Sequence, residues 1–153
     1  MKSEITVLLV DDHSLVRKGF RRLLEDDPEI RVVGEACNGV EAIEAARKLR
    51  PRVVVMDMTM PGLDGVQATR EIRTKLPNSA VLILSMYADR NYIRNAFEAG
   101  ARGYLLKNAI EVDLTAAVKA LAAGRRFINP GLSFSSEASS QQYDRLKIGR
   151  AHV

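Results

Sequence analysis

Four apolar runs of this sequence are followed by residues whose side chains could do chemistry. Asp11 and Asp12 follow the first of these runs, and Asp57 follows another. Ser85 and Lys107 follow two more. Carboxylates that lie together repel one another unless a cation separates them, and Mg²⁺ typically binds a few carboxylates, several waters and a phosphate. These residue types therefore point to a magnesium-assisted reaction of a phosphoryl group.

Asp57 is the candidate nucleophile of such a reaction. A carboxylate is already ionised at neutral pH, so its attack on phosphorus needs no general base and gives an aspartyl phosphate. Catalysis of phosphoryl transfer is mainly positioning and counter-charge on the phosphoryl oxygens. The ammonium group of Lys107 and the hydroxyl of Ser85 are suited to that task.

These side chains can meet only if the runs before them are neighbouring strands of one parallel sheet. Short apolar runs alternate with helical patterns across residues 5–124. Three of the runs are apolar at consecutive positions, which is typical of strands that helices cover on both faces. The predicted strands are residues 5–10, 30–36, 53–56, 80–84 and 103–106.

Each predicted helix has one apolar face and is followed by a proline or glycine that ends it. The first covers residues 14–26, and the terminating residues of the five helices are Pro28, Pro51, Pro77, Gly100 and Gly124. This (βα)₅ pattern predicts a doubly wound α/β fold. Ligands of such folds bind beyond the carboxyl ends of the strands, where four of the five strands deliver a charged or hydroxyl group.

Length and composition restrict the class of protein. The chain has 153 residues, of which 46% are hydrophobic and 27% charged, so one globular domain is expected. No apolar run approaches the roughly 18 residues that span a bilayer, and no secretory signal is recognisable. Cys37 is the only cysteine, which excludes an intrachain disulfide. A cytoplasmic location without membrane contact is therefore predicted.

The net charge of +4 permits an anionic partner but does not demonstrate one. The first predicted helix carries a basic stripe that we interpret as a solvated face. Its members are Arg17, Lys18, Arg21 and Arg22.

Four motifs give the chain a clear resemblance to the receiver domain of two-component response regulators. They are V-D-D-H at 10–13, M-D-M-T-M-P-G-L-D-G at 56–65, L-S-M-Y at 84–87 and G-Y-L-L-K at 103–107. The resemblance implies a flavodoxin-like fold with a parallel five-stranded sheet of order 2-1-3-4-5.

The resemblance also implies a role for each candidate residue. Asp57 would accept the phosphoryl group, and Ser85 and Lys107 would hold its oxygens. Tyr104, together with Ser85, would form the switch that reports phosphorylation to the output face, the surface formed by the fourth helix, the fifth strand and the fifth helix. The implied ligands of a Mg²⁺ cofactor are Asp11, Asp12, Asp57 and the backbone carbonyl of Thr59.

Further stretches resemble the LuxR/NarL branch of transcription regulators: D-D-H-S-L-V-R-K-G-F-R-R-L-L, L-S-M-Y and A-A-G-R-R-F-I-N-P. We predict a receiver domain at 1–124, a linker at 125–146 towards a helix-turn-helix domain that this chain lacks, and a non-native tail at 147–153. The implied partners are a sensor histidine kinase and a second copy of the chain. DNA would be bound only through the missing domain.

Other interpretations remain open at this level. The same fold could serve as a binding module that is never phosphorylated, as a flavin-binding module or as a metal-dependent phosphatase. Asp12 could be the N-cap of the first helix, and Tyr104 could be an ordinary strand aromatic. His13 is expected to face solvent rather than to bind a metal.

Overall fold

A computed structural model describes residues 4–129, which form one parallel sheet with helices on both faces. The strands are β1 (Ile5–Val10), β2 (Ile30–Ala36), β3 (Val53–Asp57), β4 (Ala80–Ser85), β5 (Gly103–Leu106) and β6 (Phe127–Ile128). The helices are α1 (Ser14–Glu25), α2 (Gly39–Leu49), α3 (Gly65–Lys75), α4 (Arg90–Glu98) and α5 (Ile110–Ala122). A short 3₁₀ turn, Lys107–Ala109, connects β5 to α5.

The strand order is β2-β1-β3-β4-β5-β6, and the neighbouring strands are parallel. This confirms the predicted order 2-1-3-4-5 and adds a sixth strand beside β5. β6 lies within the range that the sequence assigns to the linker, so the sheet continues into that range. The remainder of that range, from residue 130, and the predicted tail at 147–153 lie outside the described residues.

The sheet buries apolar side chains on both faces, which explains the consecutive apolar positions of its central strands. Leu8 and Val10 of β1 pack into the layer beneath α2, α3 and α4. Val7 and Leu9 point to the opposite layer, beneath α1 and α5. Because successive side chains of a strand alternate between faces, a strand covered on both sides must be apolar throughout.

Side chains cap the N-termini of two helices, α2 and α3. Asn38 is the N-cap of α2 and accepts a hydrogen bond from the Glu41 amide at 2.8 Å. Asp64 and Gln67 form a capping box at the start of α3. Such caps satisfy amide groups that the first turn of a helix leaves without partners. None of the described helices combines the length and apolar character needed to cross a bilayer.

Candidate functional site

Strand register brings the candidate residues to one edge of the sheet. Val10 pairs with Met56, so Asp11 and Asp57 lie at the same level of neighbouring strands. Ser85 ends β4 and pairs with Leu106 of β5. The strand order reverses between β1 and β3, which is where ligands of open α/β sheets bind. The fold therefore assembles one site from the carboxyl ends of four strands, β1, β3, β4 and β5.

Asp57 is the centre of this edge. Its residue surface is only 1% exposed, and its Oδ1 lies 3.0 Å from the Lys107 Nζ. The Thr59 amide donates a long hydrogen bond of 3.4 Å to the same oxygen. Burial raises the pKa of Asp57 and the charge of Asp11 adds to that effect, while the Lys107 ammonium acts in the opposite direction. The ion pair thus holds a buried carboxylate at the end of β3.

The neighbouring acids lack donors for some of their oxygens. Asp11 is 1% exposed, and its Oδ1 accepts a hydrogen bond from the His13 amide at 2.8 Å. Its Oδ2, like the Oδ1 of Asp12, is buried without a hydrogen-bond donor among the described residues. Buried carboxylate oxygens without donors are costly, and a divalent cation with oxygen ligands would compensate them. The donor set therefore fits Mg²⁺.

His13 lies closer to the acids than the sequence suggests. Its side chain is 66% exposed, in agreement with the expectation that it faces solvent, yet its Nδ1 lies 3.2 Å from the Oδ1 of Asp11 and 3.2 Å from the Oδ1 of Asp12. Only the contact with Asp11 has the geometry of a hydrogen bond, so the Asp12 oxygen remains without a donor. One possible ligand atom from each of these three residues fits within a 4.8 Å cluster. His13, not Asp12, is the N-cap position of α1. The N-cap interpretation of Asp12 is therefore wrong.

Tyr104 is fully buried and belongs to a hydrogen-bonded group with the candidate switch residue Ser85. The Tyr104 hydroxyl lies 2.7 Å from the Tyr87 carbonyl oxygen and 2.8 Å from the Ser85 Oγ. Since a carbonyl can only accept, the Tyr104 hydroxyl donates to it, and the Ser85 hydroxyl donates to Tyr104. The Ser85 Oγ in turn accepts from the Tyr87 amide at 2.9 Å. Burial raises the pKa of the Tyr104 hydroxyl.

Arg17 supports the site in a way that the sequence analysis missed. Its Nη1 donates to the Asp11 carbonyl oxygen at 2.6 Å, and its Nε donates to Glu35 at 2.8 Å. Arg21 binds the second carboxylate oxygen of Glu35 at 2.7 Å. The Arg17 side chain is only 17% exposed, so the solvated-face interpretation is wrong for this residue. The signal that could have found it is an acid, Glu35, within the second strand.

Gly65 allows α3 to begin against the end of β3. A Cβ atom at this position would lie 2.2 Å from the Asp57 carbonyl oxygen, which no side chain can tolerate. The Gly65 amide donates to the Met58 carbonyl at 2.9 Å. The glycine of the M-D-M-T-M-P-G-L-D-G motif at position 65 is thus required by a close approach of two backbones.

Comparison with known proteins identifies the family. Residues 7–119 match the family described as response regulator receiver domain. The chain belongs to this family. It is the receiver domain of a two-component response regulator, and its relatives include LuxR-family regulators of transcription. The predicted fold and function are therefore confirmed at this level, and the flavin-binding and phosphatase interpretations lose their support.

The similarities extend over most of the chain. It is 39% identical to the transcriptional regulatory protein DegU of Brevibacillus brevis over 84% of this chain and 55% of the relative. A LuxR-family response regulator from Aurantimonas sp. SI85-9A1 is 38% identical, with a TM-score of 0.83 over 95% of this chain and 99% of that structure. The RcsB receiver of Salmonella enterica with phosphomimetic BeF₃⁻ is 28% identical, with a TM-score of 0.78 over 86% and 97%. The chain spans about half the length of DegU.

Proposed function

We propose that this receiver accepts a phosphoryl group on Asp57 from a sensor histidine kinase and thereby changes the state of its output face. The observation that carries this proposal is the buried Asp57 carboxylate, paired at 3.0 Å with Lys107 beside two acids that retain oxygens without donors. This arrangement offers a nucleophile, a counter-charge and room for a cation at one point. The relative RcsB, described with a phosphomimetic, supports the same chemistry.

In the proposed transfer, an oxygen of Asp57 forms a bond to phosphorus while the bond from phosphorus to the histidine nitrogen of the kinase breaks. The leaving nitrogen keeps the electron pair of that bond. Asp57 attacks as a carboxylate, so no proton has to be removed from it. The Lys107 ammonium is placed to interact with a phosphoryl oxygen as negative charge spreads over the transferred group. Water would later hydrolyse the acyl phosphate, so that the receiver resets itself without acting on a separate substrate.

We propose Mg²⁺ as the cofactor, with Asp11, Asp12, Asp57 and the backbone carbonyl of Thr59 as its ligands. The orphaned oxygens of Asp11 and Asp12 support this assignment. When bound, the ion supplies positive charge that offsets both the carboxylates and the phosphoryl oxygens. His13 Nδ1 is left out of the proposed ligand set because Mg²⁺ prefers oxygen ligands.

The proposed switch consists of Ser85 and Tyr104. The Ser85 hydroxyl now donates to Tyr104, and it would turn towards a phosphoryl oxygen once Asp57 is phosphorylated. Tyr104 would then lose its donor while remaining buried, which favours a different position of its ring and of the Tyr87 backbone that it binds. The output face would exist in two conformations before phosphorylation. The contact of Ser85 with the phosphoryl group would favour one of them and so shift the equilibrium.

The partners follow from the same proposal. A sensor histidine kinase supplies the phosphoryl group, and the changed face alters association with a second copy of the receiver. In the protein to which this receiver belongs, the outcome would be control of transcription through a separate DNA-binding domain, in the cytoplasm.

Incubation with acetyl phosphate and Mg²⁺ tests the proposal, with intact mass as the readout. We expect the wild type to gain about 80 Da, the mass of one phosphoryl group, and to lose the adduct with time. Asp57→Asn should gain nothing, whereas Asp26→Asn, which changes an exposed acid of the α1 terminus, should behave like the wild type. EDTA should abolish the adduct.

The rival function is a binding module of the same fold that is never phosphorylated. Absence of an adduct in the wild type, under conditions in which a known receiver is modified, would favour that rival. An adduct that persists in Asp57→Asn would instead show that another residue is the acceptor.

A further inference from the structure

A basic pocket lies at the amino edge of the sheet, opposite the phosphorylation site. It has a volume of about 450 Å³ and is lined by Arg52, Arg73 and Arg102, which define it hereafter. Arg52 directly precedes β3 and Arg102 directly precedes β5. Since β3 rises by about 3.3 Å per residue, the pocket and Asp57 lie at opposite ends of this strand. The basic pocket is therefore separate from the proposed acceptor site.

Backbone carbonyls hold the arginines in place. The Arg73 Nε donates to the Gly100 carbonyl at 2.9 Å, and its Nη1 donates to the Ser79 carbonyl at the same distance. These bonds fix the guanidinium, which α3 carries, between the loop that follows α4 and the loop before β4. The Arg73 Nη1 also donates to the Pro77 carbonyl at 2.5 Å. A guanidinium has five donors in a rigid fork, so these three bonds leave the two donors of Nη2 for another acceptor.

The other two arginines bind the end of α5. Arg52 donates to the Ala122 carbonyl and Arg102 donates to the Gly124 carbonyl at 3.2 Å. The Arg102 Nε is buried and has no hydrogen-bond acceptor among residues 4–129. Carbonyls at a helix C-terminus carry only partial negative charge. These contacts orient the guanidiniums without neutralising them.

The positive charge of the basic pocket has no counter-charge in the described part of the chain. None of its three arginines pairs there with a carboxylate. Arg73 and Arg102 line the same pocket, and burial together with the neighbouring charge of Arg102 lowers the pKa of Arg73. Like charges held together in a concave surface attract an anion.

The surroundings of the basic pocket extend its charge. A second depression of about 310 Å³ adjoins it through Arg52 and adds Arg50 and Lys75. Among the described residues that line either depression, Glu4 is the only acid. The part of the amino edge around β3, β4 and β5 is therefore basic.

We propose that the basic pocket binds a small molecule with two or more phosphate groups, such as a nucleoside polyphosphate. The planar donor forks of arginine match phosphate oxygens two at a time, and three guanidiniums carry more charge than a single carboxylate would balance. The cavity has the size of a small-molecule site. Leu121 and Ala80 add apolar surface to its lining, against which the organic part of the ligand would pack.

The test is calorimetric titration of the receiver with pyrophosphate in EDTA, at about physiological ionic strength. We expect saturable binding by the wild type, at least about tenfold weaker in Arg102→Gln, which is a loss of about 1.4 kcal/mol. Arg47→Gln is the matched control, because it removes the same charge from an exposed residue of α2 that pairs with Glu44 at 2.9 Å. Its affinity should equal that of the wild type.

Amide chemical shifts locate the ligand and separate this proposal from the proposed function. Pyrophosphate should perturb the amides of Gly103 and Gly124, not those of Ser85 and Lys107, and Asp57→Asn should bind equally well. Arg52→Gln serves as a second variant if Arg102→Gln does not fold. The proposal would be overturned if the wild type showed no saturable binding of pyrophosphate up to about 1 mM, or if Arg47→Gln lost as much affinity as Arg102→Gln. It would also be overturned if pyrophosphate shifted the amides near Lys107, or if the receiver bound an acidic peptide but not pyrophosphate.

Discussion

At the scale of single residues, the site combines burial with uncompensated charge. Asp57 lies in a position where burial opposes its ionisation, and Lys107 offsets part of that cost at 3.0 Å. The acids beside it retain oxygens without donors. Carboxylate oxygens of this kind are costly without a counter-charge, which supports the proposed Mg²⁺ site beside Asp57.

Lys107→Ala should slow phosphorylation of Asp57 by acetyl phosphate about 100-fold, the usual effect of removing one group that stabilises developing charge. A time course of intact mass at saturating Mg²⁺ measures the rate. Lys48→Ala is the control, since that lysine is a largely exposed residue of α2 and should leave the rate unchanged. A rate for Lys107→Ala equal to that of the wild type would remove the lysine from the proposed mechanism.

At the scale of elements, contacts between neighbouring segments hold the loops that carry the site. Glu35 of β2 binds Arg17 and Arg21 of α1, and Arg17 also binds the Asp11 carbonyl. The Arg17 hydrogen bond, with help from Arg21, lowers the pKa of Glu35. These contacts hold α1 against the loop that carries Asp11. Gly65 allows α3 to begin in close contact with the end of β3.

Glu35→Gln should lower the free energy of unfolding at neutral pH by about 1 kcal/mol, the scale of a partly exposed charged pair. A carboxyl with a lowered folded-state pKa stabilises the fold above its unfolded pKa and loses this effect as the pH falls through the folded pKa. The difference between variant and wild type should therefore shrink below about pH 4, where carboxylates begin to protonate. Urea unfolding at a series of pH values measures it, and a constant difference would contradict the ion-pair account.

Gly65→Ala should destabilise the receiver by about 2 kcal/mol or more, because the new Cβ meets the Asp57 carbonyl and the backbones must separate. The matched variant is Gly19→Ala in α1, where a Cβ would meet nothing within 4 Å. That change should stabilise the helix by about 0.5–1 kcal/mol. Urea unfolding measures the change in the free energy of unfolding for both variants, which should be negative for Gly65→Ala and positive for Gly19→Ala. Equal changes in the two variants would refute the steric argument.

At the scale of the whole molecule, the proposed acceptor site and the basic pocket lie at opposite edges of the sheet. β6 lies beside β5, a strand that runs from one edge to the other. β5 begins next to Arg102 and ends next to Lys107. Asn129, which follows β6, is buried. Its amide donates to the Tyr104 carbonyl at 3.0 Å, and its side chain accepts from the Leu106 amide at 2.9 Å. The segment after α5 is thus attached to the strand that carries the proposed switch.

Asn129→Ala should leave the Leu106 amide without its acceptor and cost about 1–2 kcal/mol of stability. Hydrogen exchange should accelerate at Leu106 and in β6, and much less in β1 and β3, since only the edge of the sheet loses a bond. Ser135→Ala, outside the described residues, controls for substitution in the same part of the chain. Uniform acceleration over the sheet would mean that the residue supports the whole fold instead.

Much of the architecture was predictable because it depends on local pattern. Consecutive apolar residues separated by helical periods predicted five strands with errors of no more than one residue at their ends, and prolines and glycines marked the helix ends. β6 was not predicted, because a two-residue strand has no periodicity of its own and forms only through pairing with β5. The Arg17–Glu35 contact was not predicted, because the two residues are far apart in sequence and neither residue type by itself indicates a partner.

The amino-acid sequence by itself determined which residue types follow each strand, and hence which chemistry this receiver could perform. Only the tertiary structure decided that Asp57 pairs with Lys107, that Ser85 donates to Tyr104, and that the arginines before β3 and β5 share one pocket. The physical reason is range: propensity and hydrophobic period act between neighbours along the chain, whereas register, burial and charge proximity arise once the strands have paired.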